Sequence, residues 1–371
     1  MMRATALFVL LSLSLPAAVP ARAHDLPLDR LSLPTGFTIE HVADVPGARS
    51  ILPVPALGVV FVSTRADTVY AVSGLMGDGG AVTVRPVLSG LKVANGIAWA
   101  AGFLYVAEQH RVVRFAAPSL KALARAKPEI IFGALPDKRH HGWRYSAFGP
   151  DGKLYIAIGA ACNICQVSGM EGTIIRLNVN RPGAAPEVFA RGVRNPVGLR
   201  FHPQTGHLWF TDNGADNMGD DSPPDELNRA PHGGLHFGYP YFGGGTDKTG
   251  EAPPVPPQTM TPPEVRFGAH VAALGFDFYT HTAFPPAYRG DAFVAQHGSW
   301  NRNVPDGYRI ARVRMNGAKS TGAWEPFAEG WLDSNGGKWG RPVDVKMIPD
   351  GSLLVSDDRA GALYRIAYGK N

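Results

Sequence analysis

Several short segments of this chain carry side chains whose types and spacing can do chemistry. The densest is Thr211 to Asn228, with six carboxylates and three asparagines in 18 residues. Concentrated oxygen ligands with glycine-permitted carbonyls suit a hard cation, Ca2+ above all. The run lacks the EF-hand order, with Gly at its sixth position and Glu at its twelfth. Repulsion among so many carboxylates also favours a bound cation over a bare solvated loop. His140-His141-Gly142-Trp143 offers imidazoles that can take a proton near neutral pH, or a surface or packing pair. Gly192 to Gly198 holds Arg194-Asn195 between turn residues, a guanidinium fork for a carboxylate ligand or for a structural ion pair. Gln296 to Arg302 contains Trp300 and Arg302, and Trp339 to Pro342 contains Arg341. Such aromatic and arginine pairs stack on a flat ring and bind its anionic groups, or pack between neighbouring strands.

The elements that must hold these groups are short strands. The chain has 44 glycines and 32 prolines, and helix-type apolar periodicity is scarce. One phrase recurs: an apolar lead-in, a turn, a short apolar strand, a polar break and a second strand. Phe148-Gly149-Pro150-Asp151-Gly152-Lys153-Leu154-Tyr155 opens its clearest copy, and Ile348-Pro349-Asp350-Gly351 sits in the last. Pro fixes φ and Gly takes positive φ, which is turn chemistry. Further copies lie at 55–72, 96–115, 199–211 and 292–313, making six. Radial repetition of such units protects sheet edges, so the expected fold is all-β, a six-bladed β-propeller, with a β-sandwich as the rival. Functional loops should then meet at one end of the axis. The widest gap between copies contains a Gly/Pro-rich stretch, about 243–263, read as a surface loop.

The N-terminus reads as a leader. Arg3 is followed by an uncharged apolar run to about Leu15, then by Ala21-Arg22-Ala23, an A-x-A cleavage pattern. The run is shorter than the roughly 20 apolar residues of a membrane span, and no later stretch is apolar enough to be one. Residues 1–23 are therefore expected to be removed, leaving 24–371 as one domain in the periplasm or outside the cell. The leader takes Arg3 and Arg22 with it, so 34 basic residues face 31 acidic ones. That balance is too mild for a nucleic-acid groove. Cys162 and Cys165 are the only cysteines; an oxidising compartment permits a small-loop disulfide, and buried thiols are the other reading. Gln166 after the second cysteine rules out a haem attachment motif.

Taken in order, these segments resemble the soluble glucose/sorbosone dehydrogenase family of quinoproteins, most closely its sorbosone (aldose sugar) dehydrogenase branch. His140-His141, the Pro150-Asp151-Gly152 strand, Cys162-Asn163-Ile164-Cys165, Arg194-Asn195-Pro196, the acidic run, Gln296 to Arg302 and Val355 to Gly361 carry the resemblance. It implies pyrroloquinoline quinone (PQQ) and Ca2+ on the axis, and hydride transfer from a sugar or sugar aldehyde to the quinone. His141 falls at the general base, and Arg194 and Asn195 at residues that contact the quinone. Gly214 and Ala215 fall at carbonyls that hold the cofactor's Ca2+, and Asp225 and Glu226 at a second, structural calcium site. Arg341 falls at an arginine that neutralises cofactor carboxylates, with Trp300, Arg302 and Asn95 as further contacts. Electrons would pass to an external acceptor. The chain departs from the glucose-oxidising branch at His140, where that branch is acidic, at Val343, where it has arginine, and near Gly298, where it has lysine. A non-catalytic calcium-bound propeller and a gluconolactonase-like hydrolase are the alternatives. The latter wants Glu, Asn and Asp around one axial metal, and no such set is spread over the copies.

Overall fold

A computed structural model describes residues 19–20, 26–77, 79–251 and 260–369. The expected leader lies outside the described residues apart from Val19–Pro20, and so do residues 252–259 of the Gly/Pro-rich stretch. Six sheets stand in a ring, antiparallel except where Leu235–His236 pairs parallel with the outer strand of the third, so the fold is a six-bladed β-propeller. The first strands of the six blades are Ala48–Val54, Gly96–Ala100, Ser146–Phe148, Pro196–Phe201, Ala273–Phe278 and Pro342–Met347. Each touches the first strand of the next blade, and the sixth touches the first, so these strands line the axis. The second strands, Val59–Thr64, Phe103–Ala107, Leu154–Ile158, Leu208–Asp212, Ala292–Gln296 and Leu353–Asp357, run back antiparallel beside them.

The ring is closed by its ends. Phe37–Asp44 is the outermost strand of the sixth blade and pairs antiparallel with Ala362–Tyr368. A single sheet thus joins the N-terminal and C-terminal parts of the described chain. The core lies between blades, where apolar faces of neighbouring sheets meet. Phe61, Leu104 and Phe115 fill the first such gap, and Phe293, Val345 and Tyr364 the fifth, each no more than 4% exposed. Full burial of each side chain of this size contributes about 1.5–3 kcal/mol, so the gaps hold the blades in register.

Helix is sparse; Leu120–Leu123 is the α-helix among the described residues. No helix among them is long and apolar enough to cross a membrane. The Gly/Pro-rich stretch is not wholly superficial, because Gly243 and Gly245 are buried against the acidic run. The Gly243 carbonyl accepts from Ala215 N at 2.7 Å, and Gly245 N donates to Glu226. A Cβ on Gly244 would stand 2.4 Å from the Pro224 carbonyl oxygen, so only glycine packs this closely there.

Candidate active site

All six first strands start at the same end of the axis, and the second strands finish there. Residues beside those ends surround a cavity of about 360 Å³. Arg49, Trp143, Asn195, Leu274 and Arg341 come from first-strand starts; Arg65, Asn213 and His297 come from second-strand ends. The volume suits a small organic ligand. Its floor is apolar: Val197, Leu274 and Val343 pack together, with Trp143 against them. Val343 is 3% exposed in that layer, where an arginine would bury an unpaired charge.

Of the residues singled out in the sequence, His141, Arg194, Asn195, Gly214, Asp225, Trp300 and Arg341 line this cavity. His141 is held in the left-handed region at φ 49°, and Arg144, His270 and Ala272 nearby also have positive φ. Such strain in non-glycine residues persists where surrounding contacts impose it. Arg144 imposes it here: its buried guanidinium donates to the carbonyls of His141 (3.2 Å), Gln109 (3.2 Å) and Pro136 (2.5 Å). Gly159 leaves the room, since a Cβ on it would lie 2.4 Å from His141 Cβ. His141 Nδ1 lies 2.9 Å from the Ala160 carbonyl oxygen. A carbonyl can only accept, so Nδ1 carries the proton and Nε2 keeps its lone pair. Burial, with Arg194 and His140 close by, pushes this imidazole well below the usual range and keeps it neutral at pH 7.

Arg194 sits 3% exposed in a cage of oxygens. It donates to Asn163 O and Oδ1, Asn213 O, Gly214 O and Asp216 Oδ2 at 2.7–3.1 Å. Asn163 lies between Cys162 and Cys165, which are joined as a disulfide. It also accepts from Asp216 N and donates to Asp216 O, so the disulfide loop clamps the acidic run. Asp225 and Glu226, expected to share one calcium site, point to opposite faces, as successive strand residues do. Asp225 accepts from Gly214 N and Ala273 N beside the main cavity, and burial raises it to about 6. Glu226 lines a separate void of about 10 Å³ with Asp212. These two carboxylates are direct partners across the ladder. Burial first, then Glu226, pushes Asp212 up to about 8.

A family model described as Glucose / Sorbosone dehydrogenase matches residues 103–365. The chain belongs to the glucose/sorbosone dehydrogenase family. An uncharacterised protein of Borreliella burgdorferi is 37% identical over 65% of this chain and 64% of its own length. The aldose sugar dehydrogenase YliI of Escherichia coli K12 is 24% identical over 67% of this chain and again 64% of its own length. The matches thus span less than two thirds of either relative. In holo form, the PQQ domain of pyranose dehydrogenase from Coprinopsis cinerea superposes with a TM-score of 0.76 at 18% identity, covering 91% of this chain and 97% of that one. At that identity the likeness is one of fold.

Other expected contacts of this glucose/sorbosone dehydrogenase family member do not line the cavity. Arg302 donates to Val304 O, Ala269 O and Asp221, which ties the acidic run to the fifth blade. Asn95 is 1% exposed behind Arg49 and accepts from its Nε at 3.1 Å. Ala215 is wholly buried. Gly298 does line the cavity, but it has φ 97° with the Tyr308 ring 2.4 Å from where a Cβ would stand, so a lysine does not fit there. Arg49, Arg65, Trp143 and Asn163 had not been singled out as site residues. A polar Arg49-Ser50 opening an apolar strand was the available signal for the first of them.

Proposed function

We propose that this chain is an exported quinoprotein that oxidises a sugar or sugar aldehyde, with PQQ and Ca2+ in the axial cavity and His141 as general base. The carrying observation is the His141 ring: Nδ1 is spent on Ala160, and Nε2 is left as the acceptor in a cavity rich in guanidinium.

The residues present fit a flat polycarboxylate. Arg49, Arg65 and Arg341 line one side of the cavity, and Asn301 there has both side-chain polar atoms buried without a partner. The donor chemistry also fits hard cations. The carbonyls of Asn213 and Gly214 and the carboxylate of Asp216 already converge on a cation, the Arg194 guanidinium. Asp212 and Glu226 oppose each other in the core, where like charges repel, and Asn228 Oδ1 beside them has no partner. Arg341, Asn195 and Trp300 would hold the cofactor, Gly214 its Ca2+, and Glu226 with Asp212 a structural ion. Bound PQQ would supply the two-electron acceptor, and bound Ca2+ the Lewis acid beside it.

His141 Nε2 then accepts the proton of the sugar hydroxyl at the carbon being oxidised. Arg144 and Gly159 keep the ring in place, and the Val197, Leu274 and Val343 floor excludes water from below. A reconstitution assay tests this reading. Purified protein with PQQ and Ca2+ should reduce a dye at the expense of aldoses or sugar aldehydes; no PQQ-dependent reduction with any of them overturns it. N-terminal sequencing of exported protein should begin near His24.

A further inference from the structure

One wall of the cavity carries more positive charge than it neutralises. Arg49 starts the first strand of the first blade, Arg65 follows that blade's second strand, and Arg341 precedes the sixth blade. The carboxylate facing them is Asp358, which accepts from Arg49 at 3.1 Å, Arg65 at 3.4 Å and His297 at 2.8 Å. Asp357 is turned away, accepting from Arg359 N, Ala360 N and the Tyr364 hydroxyl. Arg341 donates from Nε and one terminal nitrogen to the carbonyls of His297 and Gly298.

Arg49 and Arg65 both lie over the Trp143 ring, their guanidinium carbons 4.6 and 4.9 Å from its centroid. Arg49 is 2% exposed, and burial, with Arg65 adding to it, lowers its pKa against the pull of Asp358. A guanidinium has five N–H donors. Arg65 makes one long hydrogen bond among the described residues, and Arg49 makes two. A second guanidinium this close to the buried Arg49 is costly unless an anion joins them.

We propose that Arg49, Arg65 and Trp143 form a carboxylate-binding subsite of the axial cavity. The inference rests on the reading that this cavity holds the reacting ligands, and it adds a recognition element from the first blade. Both guanidiniums already reach the same oxygen of one planar carboxylate, so a second carboxylate is the group their remaining donors fit. That carboxylate belongs either to the cofactor or to an acidic sugar such as a uronic acid. Trp143 holds both guanidiniums over its ring and so fixes the pair at the cavity wall.

Ligand binding to the apoprotein, followed by tryptophan fluorescence, tests the subsite without turnover. The probes are PQQ, its trimethyl ester, D-glucuronate and D-glucose. Arg65→Gln is the main variant, because the Arg65 side chain is 52% exposed and the fold does not depend on it. Arg49→Gln is the second, and Lys121→Gln on the outer surface is the charge control. Loss of one charge-assisted contact weakens binding roughly tenfold. If the carboxylate is the cofactor's, Arg65→Gln weakens PQQ by that factor and leaves the ester unchanged. If it is the substrate's, wild type prefers glucuronate to glucose and Arg65→Gln removes the preference. Unchanged affinity of both arginine variants for PQQ and glucuronate overturns the subsite. Wild type that binds glucuronate through Arg65 but not PQQ would overturn the cofactor reading and leave the subsite standing.

Discussion

The wall of the cavity built by the third and fourth blades and the wall built by the sixth and first blades use arginine in opposite ways. On the former, Arg194 makes five hydrogen bonds to oxygens of two loop segments and is saturated. On the latter, Arg49 and Arg65 share one carboxylate oxygen and retain unspent donors. Buried polar groups in folded proteins are normally satisfied. A saturated arginine has no side-chain donor left over, whereas the buried Arg49 still has donors without a protein partner. The Asn163 loop shows the same economy on the saturated wall: a disulfide fixes four residues so that one amide can orient both Arg194 and Asp216.

The largest expected effect falls on His141, whose backbone belongs to the saturated wall but whose Nε2 is free. His141→Ala should lower kcat by about 10²–10⁴, the usual worth of a positioned base, while PQQ titrates the apoprotein as before. Full activity of this variant with reconstituted cofactor would remove the base assignment. Next comes the direct contrast. Arg194→Gln leaves Asp216 and three loop carbonyls without their cation and should cost about 3–5 kcal/mol in denaturant unfolding. Arg65→Gln should stay within about 0.5 kcal/mol, as exposed substitutions do. Equal losses would mean the two walls do not differ in the way described.

Behind the saturated wall, Asp212 and Glu226 make the next prediction. Ca2+ at a hundred times its dissociation constant should stabilise the fold by about 2.7 kcal/mol, and chelation should reverse it. Glu226→Gln should abolish that gain, whereas Asp225→Asn, on the opposite face, should retain most of it. Calorimetric unfolding with and without chelator reads both.

The six-bladed ring was legible because apolar second and third strands and Pro-Asp-Gly turns recur along the chain. The first strands of the first and fifth blades were not, because they carry polar and small residues toward the axis. Arg49-Ser50 and Gly275 with Asp277 break their apolar pattern. Arg49 went unnoticed for that reason, and with it the positive wall. Closeness in sequence also misleads about side. Trp300 lines the cavity and Arg302, two residues on, braces the acidic run instead. Asp225 and Glu226 separate for the same kind of reason, since a strand alternates its faces. His141 was legible as an imidazole, but its tautomer depends on Ala160, which only the fold brings near.

The smallest effect concerns pH and shows what the two walls have in common. Burial lowers His297 to about 4 on the positive wall, against the pull of Asp358. Burial also lowers His141 on the other wall, with Arg194 and His140 adding to it. In both cases the folded protein binds fewer protons than the unfolded chain below the ordinary histidine value of about 6.5. Stability from His297 is therefore fully present above about pH 6.5 and is lost as pH falls toward 4. Asp358 is held far below the carboxylate range, so it stays ionised through this window. The loss attributable to His297 should be on the order of 2 kcal/mol. Thermal unfolding between pH 7 and 5 should show a shallower fall in Tm for His297→Gln than for wild type, and Arg65→Gln should leave the slope steep. A slope unchanged by His297→Gln would place the acid sensitivity on the His141 side alone, and the positive wall would then owe its charge balance to something other than a neutral His297.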